Sequence, residues 1–110
     1  MICEPYDVVA VPFPFTEKAG SKRRPALVLS QKEFNDGSAH AILAMITTQG
    51  HSPWPADTDV HDFKTAGLNV PCLVRLKLFT LDNRLILKRI GRLSAADGQR
   101  VMEHLRSSLL

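Results

Sequence analysis

Arg24 stands directly before Pro25, behind Lys22 and Arg23 and ahead of the apolar run Ala26-Leu27-Val28-Leu29. The residue before a proline is driven toward extended geometry, so Arg24 should project from a strand start and not from a helix turn. The proline's missing donor suits the first position of a strand better than its middle. A guanidinium held there is a good place for a charged substrate, since its planar fork matches phosphate oxygens and stays charged. Arg75, Lys77, Arg84, Lys88, Arg89 and Arg92 form a second group of cations. Residues 1–69 carry six Lys/Arg against eight Asp/Glu, a balance of −2, whereas residues 70–110 carry eight against three, a balance of +5. A basic block of this kind on strands is an electrostatic footprint for a polyanion, although charge alone fits a solvated face more simply.

Two other clusters invite chemistry. Trp54 lies between Pro53 and Pro55, where an exposed indole can stack on an unpaired base or cover the end of a barrel. His51 and His61 flank Asp57, Asp59 and Asp62, but their spacing matches no familiar ligand pattern, so neither a metal nor another cofactor is expected. The four histidines are left without a role.

Length and composition bound the frame that must position these groups. At 110 residues the chain is read as one domain, residues 1–110, with room for a single core. No apolar run is long enough to span a membrane, and Met1-Ile2-Cys3-Glu4-Pro5 does not resemble a signal peptide. Cys3 and Cys72 make no disulfide framework and no metal spacing, so both are read as reduced thiols in a cytoplasmic protein.

The pattern is mostly β. Strands are expected over residues 6–13, 24–30 and 41–46, with the loop 18–22 joining the first two. Asn35-Asp36-Gly37-Ser38 is read as a turn. The third strand is apolar on both faces and therefore central. A long loop over 51–59 leads to a short fourth strand, and Asp62–Ala66 reads as one helical turn stopped by Gly67. Strands over 72–80 and 84–93 are expected to form a tight hairpin at Asp82-Asn83. Ser94-Ala95-Ala96-Asp97 resembles a capping box. Val101, Met102, Leu105 and Leu109 then recur at helical spacing to face the core, with Gly98 weakening the first turn. Many short strands and one closing helix argue for a small barrel.

Five segments carry a resemblance: Asp7 to Thr16, Arg23 to Ser30, Ile46-Thr47-Thr48-Gln49, Phe79-Thr80-Leu81-Asp82 and Ile90-Gly91-Arg92-Leu93-Ser94. In this order they look like the PemK/MazF family of toxins from bacterial type II toxin–antitoxin systems, over nearly the whole chain. The resemblance implies a mainly β fold with a C-terminal helix, a small SH3-like barrel of the CcdB/PemK/MazF type. It implies a homodimer that cleaves single-stranded RNA without a metal, and a cognate antitoxin that occupies the RNA groove.

Site residues carry over position by position. Arg24 matches the arginine of the family's Arg-Pro motif, which makes it the first catalytic candidate: it would stabilise negative charge that develops at the phosphorus in the transition state. Thr47 matches the threonine after the isoleucine of the Ile-Thr-x-Gln segment, and Arg75 an arginine on a later strand. Lys22, Arg23, Thr48, Gln49, Trp54 and Lys77 are the expected RNA contacts. Lys77 should face the same side as Arg75 and Phe79 by strand alternation. The strand over 72–80 departs from the family pattern, because Arg75-Leu76-Lys77-Leu78-Phe79 lacks the expected carboxylate. A non-catalytic RNA-binding or regulatory barrel therefore stays open, as does a CcdB-like gyrase-directed toxin. Arg24-Pro25 and the basic hairpin speak against the latter.

Overall fold

In the computed structural model, residues 1–13, 22–50 and 52–110 are described. The apolar run near the N-terminus forms strand β1 (Asp7–Phe13), exposed only at Phe13. β2 (Lys22–Val28), helix α1 (Lys32–Ser38), β3 (His40–Thr48), the short β4 (Thr58–Asp59), β5 (Cys72–Asp82), β6 (Lys88–Arg92) and helix α2 (Ala95–Leu109) follow. The six strands form one curled antiparallel sheet, a half-barrel, in the order β4-β5-β3-β2-β1-β6. No helix among the described residues is long and apolar enough to cross a membrane.

Both faces of the sheet are covered, which explains the unbroken apolar character of β1. On one face Val8, Leu27, Ala44, Ile46 and Val74 pack with Val101, against which Met102 and Leu105 are half-buried. On the other, Val9, Val11, Ala26, Val28 and Leu43 pack with Cys3, Leu81 and Ile86. A strand covered on both sides has no polar face to show, so its sequence loses alternation. β3 is central, between β5 and β2, as its composition demands.

Several elements differ from the sequence reading. The Asn35-to-Ser38 turn is the end of α1, and the reversal occurs at Ala39, with φ 59. Asn35 is fully buried. Its amide donates to the carbonyls of Cys3 (2.8 Å) and Ser30 (3.1 Å), its Oδ1 accepts from the Ser30 hydroxyl, and its own carbonyl accepts from Asn83 Nδ2 (2.8 Å). A residue type that favours turns is used here to tie three segments through a buried polar network.

The hairpin between residues 72–80 and 84–93 does not form. β5 pairs with β3 and β4, whereas β6 pairs with β1, from Asp7↔Arg92 to Ala10↔Lys88. A two-residue hairpin of the Asp-Asn kind needs positive φ at its centre, but Asp82 has φ −59 and ψ 132. Its carboxylate instead accepts from the Arg84 N–H (2.8 Å), starting a 3₁₀ turn at Asn83–Leu85 that carries the chain across to β1. β2 begins and ends two residues earlier than expected, so Pro25 lies within the strand. The loop over residues 18–22 falls outside the described residues except for Lys22.

The C-terminal helix follows the sequence reading at its start. Ser94 Oγ accepts from Asp97 N–H (3.1 Å). Gly98 has a packing reason, because a Cβ there would come within 2.7 Å of the Tyr6 ring. Leu109 departs from the expected buried stripe and is 58% exposed. The one-turn element before β5 is also present: Ala66 N–H donates to Asp62 O (3.3 Å) and Gly67 stops it at φ 78.

Asp97 joins that turn to α2. Its buried carboxylate accepts from the N–H groups of His61 (3.2 Å) and Asp62 (2.9 Å) and from Arg100 Nη2 (2.5 Å). Burial pushes the carboxyl up, but the two backbone donors, Arg100 and Ser94 outweigh it, and its pKa is lowered. A carboxylate with a folded pKa below its unfolded value, near ~3.9, stabilises the protein above that value. The contribution is lost as pH falls through the folded pKa. Asp97→Asn should therefore cost about 1–3 kcal/mol at pH 7. Urea unfolding of the variant should show a smaller loss of stability between pH 5 and pH 3 than the parent (about the acid range of that carboxylate). Parallel pH profiles would contradict this role.

Candidate functional site

The opening in the sheet begins at one proline. β2 pairs with β3 only at Ala26↔Met45, Leu27↔Ala44 and Val28↔Leu43. Just past β2, Leu29 N–H donates to Ile42 O of β3 (2.9 Å). Backbone amides two residues apart point to the same side of a strand, so the amide of Pro25 also faces β3. It has no hydrogen to donate. The ladder stops, and the next residues on that face, Arg24 and Thr47, line the gap.

This gap is a cleft of about 330 Å³, lined by Arg24, Thr47, Met45, Phe13 and Thr48 with Cys72 at its edge. A second pocket adjoins it through the shared Phe13 and Met45 and is completed by Lys77, Leu78 and Phe79. Register places these side chains together. Val11 lies opposite Arg24, Phe13 opposite Lys22, and Met45 opposite both Ala26 and Arg75. Directly opposed residues in an antiparallel pair share a face. Between Ala44 and Met45 the β3–β5 register shifts, so that Leu76 and Lys77 form a bulge in β5. Bulges re-aim side chains, and this one turns Lys77 toward the second pocket.

The charge distribution differs from the sequence reading. Most of the basic block after residue 70 is compensated: Arg75 pairs with Asp57, Arg84 with Asp82, Arg89 with Asp7, and Arg92 with Asp7 and Glu4. Arg84 holds the Asp82 carboxyl down to about 2. Among the described residues no carboxylate pairs with Lys22, Arg23, Arg24 or Lys77. The uncompensated positive charge near the cleft therefore comes from β2 and from Lys77. It does not come from a basic hairpin.

Arg75 is occupied elsewhere. Its Nε and Nη2 donate to the Asp57 carboxylate (3.1 and 2.9 Å), and Nη2 also donates to the Ser52 carbonyl (2.7 Å). Both side chains are largely buried, at 12% and 17% exposure. Partial burial pushes the Asp57 carboxyl up, but Arg75 and the Trp54 N–H (3.0 Å) more than offset this and lower its pKa. Arg75 lines neither pocket, so the structure gives it the job of pinning the turn over 52–57. The carboxylate missing from β5 is supplied beside Arg75 by a distant loop, already committed to an ion pair.

The other expected contacts divide. Lys22 is exposed on the Arg24 face, and Arg23, opposite Pro12, points to the other. Thr48 lines the cleft, whereas Gln49 lies beyond β3 with its N–H bonded to Pro71 O (3.4 Å). Trp54 is 41% exposed, with Lys77 Nζ 4.6 Å from the ring centre. His61 and Asp62 give their N–H groups to Asp97, and Asp62 also caps Thr65 (2.8 Å). No group of three or more His, Cys, Asp or Glu able to hold a metal occurs among the described residues. His51 lies outside them. Phe13 and Met45 were not singled out from the sequence, and Asp57 was weighed there only as part of a metal cluster. Strand alternation from Arg24 could have indicated the first two, but nothing local marks Asp57 as the partner of Arg75.

Over residues 4–109 the chain matches the model of the PemK-like, MazF-like toxin of type II toxin–antitoxin systems. Among solved structures, it resembles a MazE–MazF complex from Deinococcus radiodurans, with a TM-score of 0.78 and 22% identity, over 99% of this chain and 97% of that one. An endoribonuclease in complex with its cognate antitoxin from a mycobacterial species gives 0.75 at 16% identity, over 98% and 93%. The Mycobacterium tuberculosis toxin MazF-mt6 gives 0.73 at 20%, over 93% and 94%. No curated protein matches the chain.

The two arginines should separate in a stability measurement. Arg75→Ala leaves the Asp57 carboxylate without its partner and frees the turn over 52–57, and should lower the urea midpoint clearly. Arg24→Ala, at an exposed position, should stay within roughly 0.5 kcal/mol of the parent. Equal losses would show that Arg24 also supports the fold.

Proposed function

The chain belongs to the PemK-like, MazF-like toxins of type II toxin–antitoxin systems, and we propose that it is a metal-independent endoribonuclease of single-stranded RNA. Cleavage of messenger RNA in the cytoplasm would halt translation and growth. The observation that carries this reading is the meeting of Arg24 and Thr47 in one open cleft, with a guanidinium that no described carboxylate neutralises.

In such a reaction the RNA 2′-hydroxyl gives its proton to water and attacks the adjacent phosphorus. The bond to the 5′-oxygen breaks, leaving a 2′,3′-cyclic phosphate and a 5′-hydroxyl. Negative charge grows on the phosphoryl oxygens before the leaving oxygen takes up a proton. Arg24 offers a fixed cation where that charge develops, which is where an interaction lowers the barrier most effectively. Thr47 donates its hydroxyl to a phosphoryl oxygen or orients the attacking group. The described lining of the cleft contains neither carboxylate nor imidazole, so this reading assigns the rate chiefly to charge stabilisation and positioning. Lys22, Thr48 and Lys77 track the backbone on either side, whereas Arg23 on the opposite face of β2 adds only to the long-range positive field. Gln49 contacts the strand as it leaves β3, and Arg75 acts through Asp57 without touching the substrate.

A cognate antitoxin is the expected partner, since two of the similar structures are complexes of that kind. A homodimer belongs to the same reading. The apolar groove of Leu29, Ile42, Leu78, Leu105, Leu109 and Leu110 supports it, because such surface on a small protein is commonly an interface.

Purified chain, separated from any antitoxin, should cleave unstructured RNA in EDTA, and Arg24→Ala should lower kcat by roughly 10²–10³. Thr47→Ala should lose less, about tenfold or more for one hydrogen-bond donor. Cleavage by the Arg24→Ala chain at the parent rate would refute the assignment. Binding without any cleavage would favour the non-catalytic RNA-binding module. Affinity for single-stranded RNA should fall with salt at a slope of about −0.7 for each phosphate neutralised, and a flat response would remove the cationic rim from the argument.

A further inference from the structure

We infer that Trp54 and Lys77 form a platform for one unpaired nucleobase beside the phosphate held at Arg24, and that the Arg75–Asp57 pair positions it. The inference rests on the RNA-cleavage reading and adds a subsite to it.

The platform is rigid by construction. Arg75 holds both the Ser52 carbonyl and the Asp57 carboxylate. Asp57 in turn accepts from Trp54 N–H and donates its own N–H to Trp54 O (3.2 Å). Prolines on both sides of Trp54 restrict the backbone further. An indole presented in this way loses little freedom when it stacks. Lys77, aimed by the β5 bulge, places its ammonium 4.6 Å from the centre of the ring. Trp54 is still 41% exposed.

Continuity links this rim to the cleft. Lys77 lines the pocket that shares Phe13 and Met45 with the Arg24 cleft. From Trp54 through Lys77 and Phe13 to Arg24, aromatic rings alternate with cations. That alternation suits a single-stranded nucleic acid, in which bases and phosphates also alternate.

Trp54 is the sole tryptophan, so its fluorescence reads this site alone. The probe is a short single-stranded RNA with 2′-O-methyl groups throughout, which cannot be cut through the 2′-hydroxyl, together with versions bearing one abasic position at a time. Binding of the intact probe should quench the indole. One abasic position should abolish the quenching and weaken binding roughly tenfold, the scale of one base–aromatic stack. Trp54→Ala should weaken the intact probe by a similar factor and gain nothing more from the abasic site. On cleavable RNA, Arg75→Lys and Asp57→Asn, each checked for folding by circular dichroism, should shift the indole emission. They should raise KM severalfold while kcat stays within about threefold, unlike Arg24→Ala.

If the probe binds by anisotropy without quenching, and Trp54→Ala leaves binding and KM unchanged, the platform is wrong while the Arg24 assignment survives. Loss of antitoxin binding alone in Trp54→Ala would equally overturn it in favour of a protein contact. Absence of both probe binding and RNA cleavage would instead refute the reading on which the inference rests.

Discussion

A missing hydrogen shapes this molecule's working surface. Pro25 occupies a position whose amide faces β3, and with no proton there the β2–β3 ladder stops at Ala26↔Met45. In a flat sheet such a break would be a defect, which is why proline is usually kept to strand edges. Here the break makes the cleft. It parts two neighbouring strands at one end only, and it leaves Arg24 and Thr47 facing the same gap from opposite sides. Arg24-Pro25 is thus one unit, in which the proline opens the space that the arginine charges.

The electrostatics follow from where carboxylates are available. β6 lies against β1, which brings Arg89 and Arg92 to the buried Asp7. The 3₁₀ turn after β5 brings Arg84 to Asp82, and the loop before β4 brings Asp57 to Arg75. Each cation that closes a structural joint meets an anion, with Asp7 shared by Arg89 and Arg92. Along the opened seam no described carboxylate answers Arg24, and the local charge there exceeds what the net +3 of the chain suggests. A charge left unpaired on an exposed strand costs the fold little, because water solvates it, and it strengthens when a substrate displaces that water.

Much of the scaffold was legible because it depends on local pattern. The Ser94 cap and the Gly67 stop reflect contacts or dihedrals within a few residues, and the two-sided burial of β1 and β3 is written directly into their unbroken apolar composition. Arg24 and Thr47 were picked out as candidates through motif resemblance, and the fold sets both in the lining of one cleft. The failures share a different cause. Asn35 was misread because its side chain serves Cys3, far away in sequence. The Asp82-Asn83 hairpin failed because strand partnership is decided across the whole sheet, so two consecutive strands can lie on opposite sides of it. The Asp57 partner of Arg75 was not legible, because nothing near Arg75 in sequence announces it.

The opened seam would serve little purpose if its walls could move. Each wall is braced from behind. β2 stays paired with β1 past the break, through Val11↔Arg24 and on to Phe13↔Lys22. β3 stays paired with β5 through Thr47↔Leu73 and Thr48↔Cys72. Arg24 and Thr47 are therefore each held by a ladder on the side away from the cleft, and the β2–β3 ladder is open only on the side facing it. A cation and a hydroxyl fixed in advance need not be ordered when charge develops between them, which is the condition under which electrostatic stabilisation is most effective. The same bracing confines the freedom of Arg24 to its side chain, whereas a loop-borne arginine would move with its backbone.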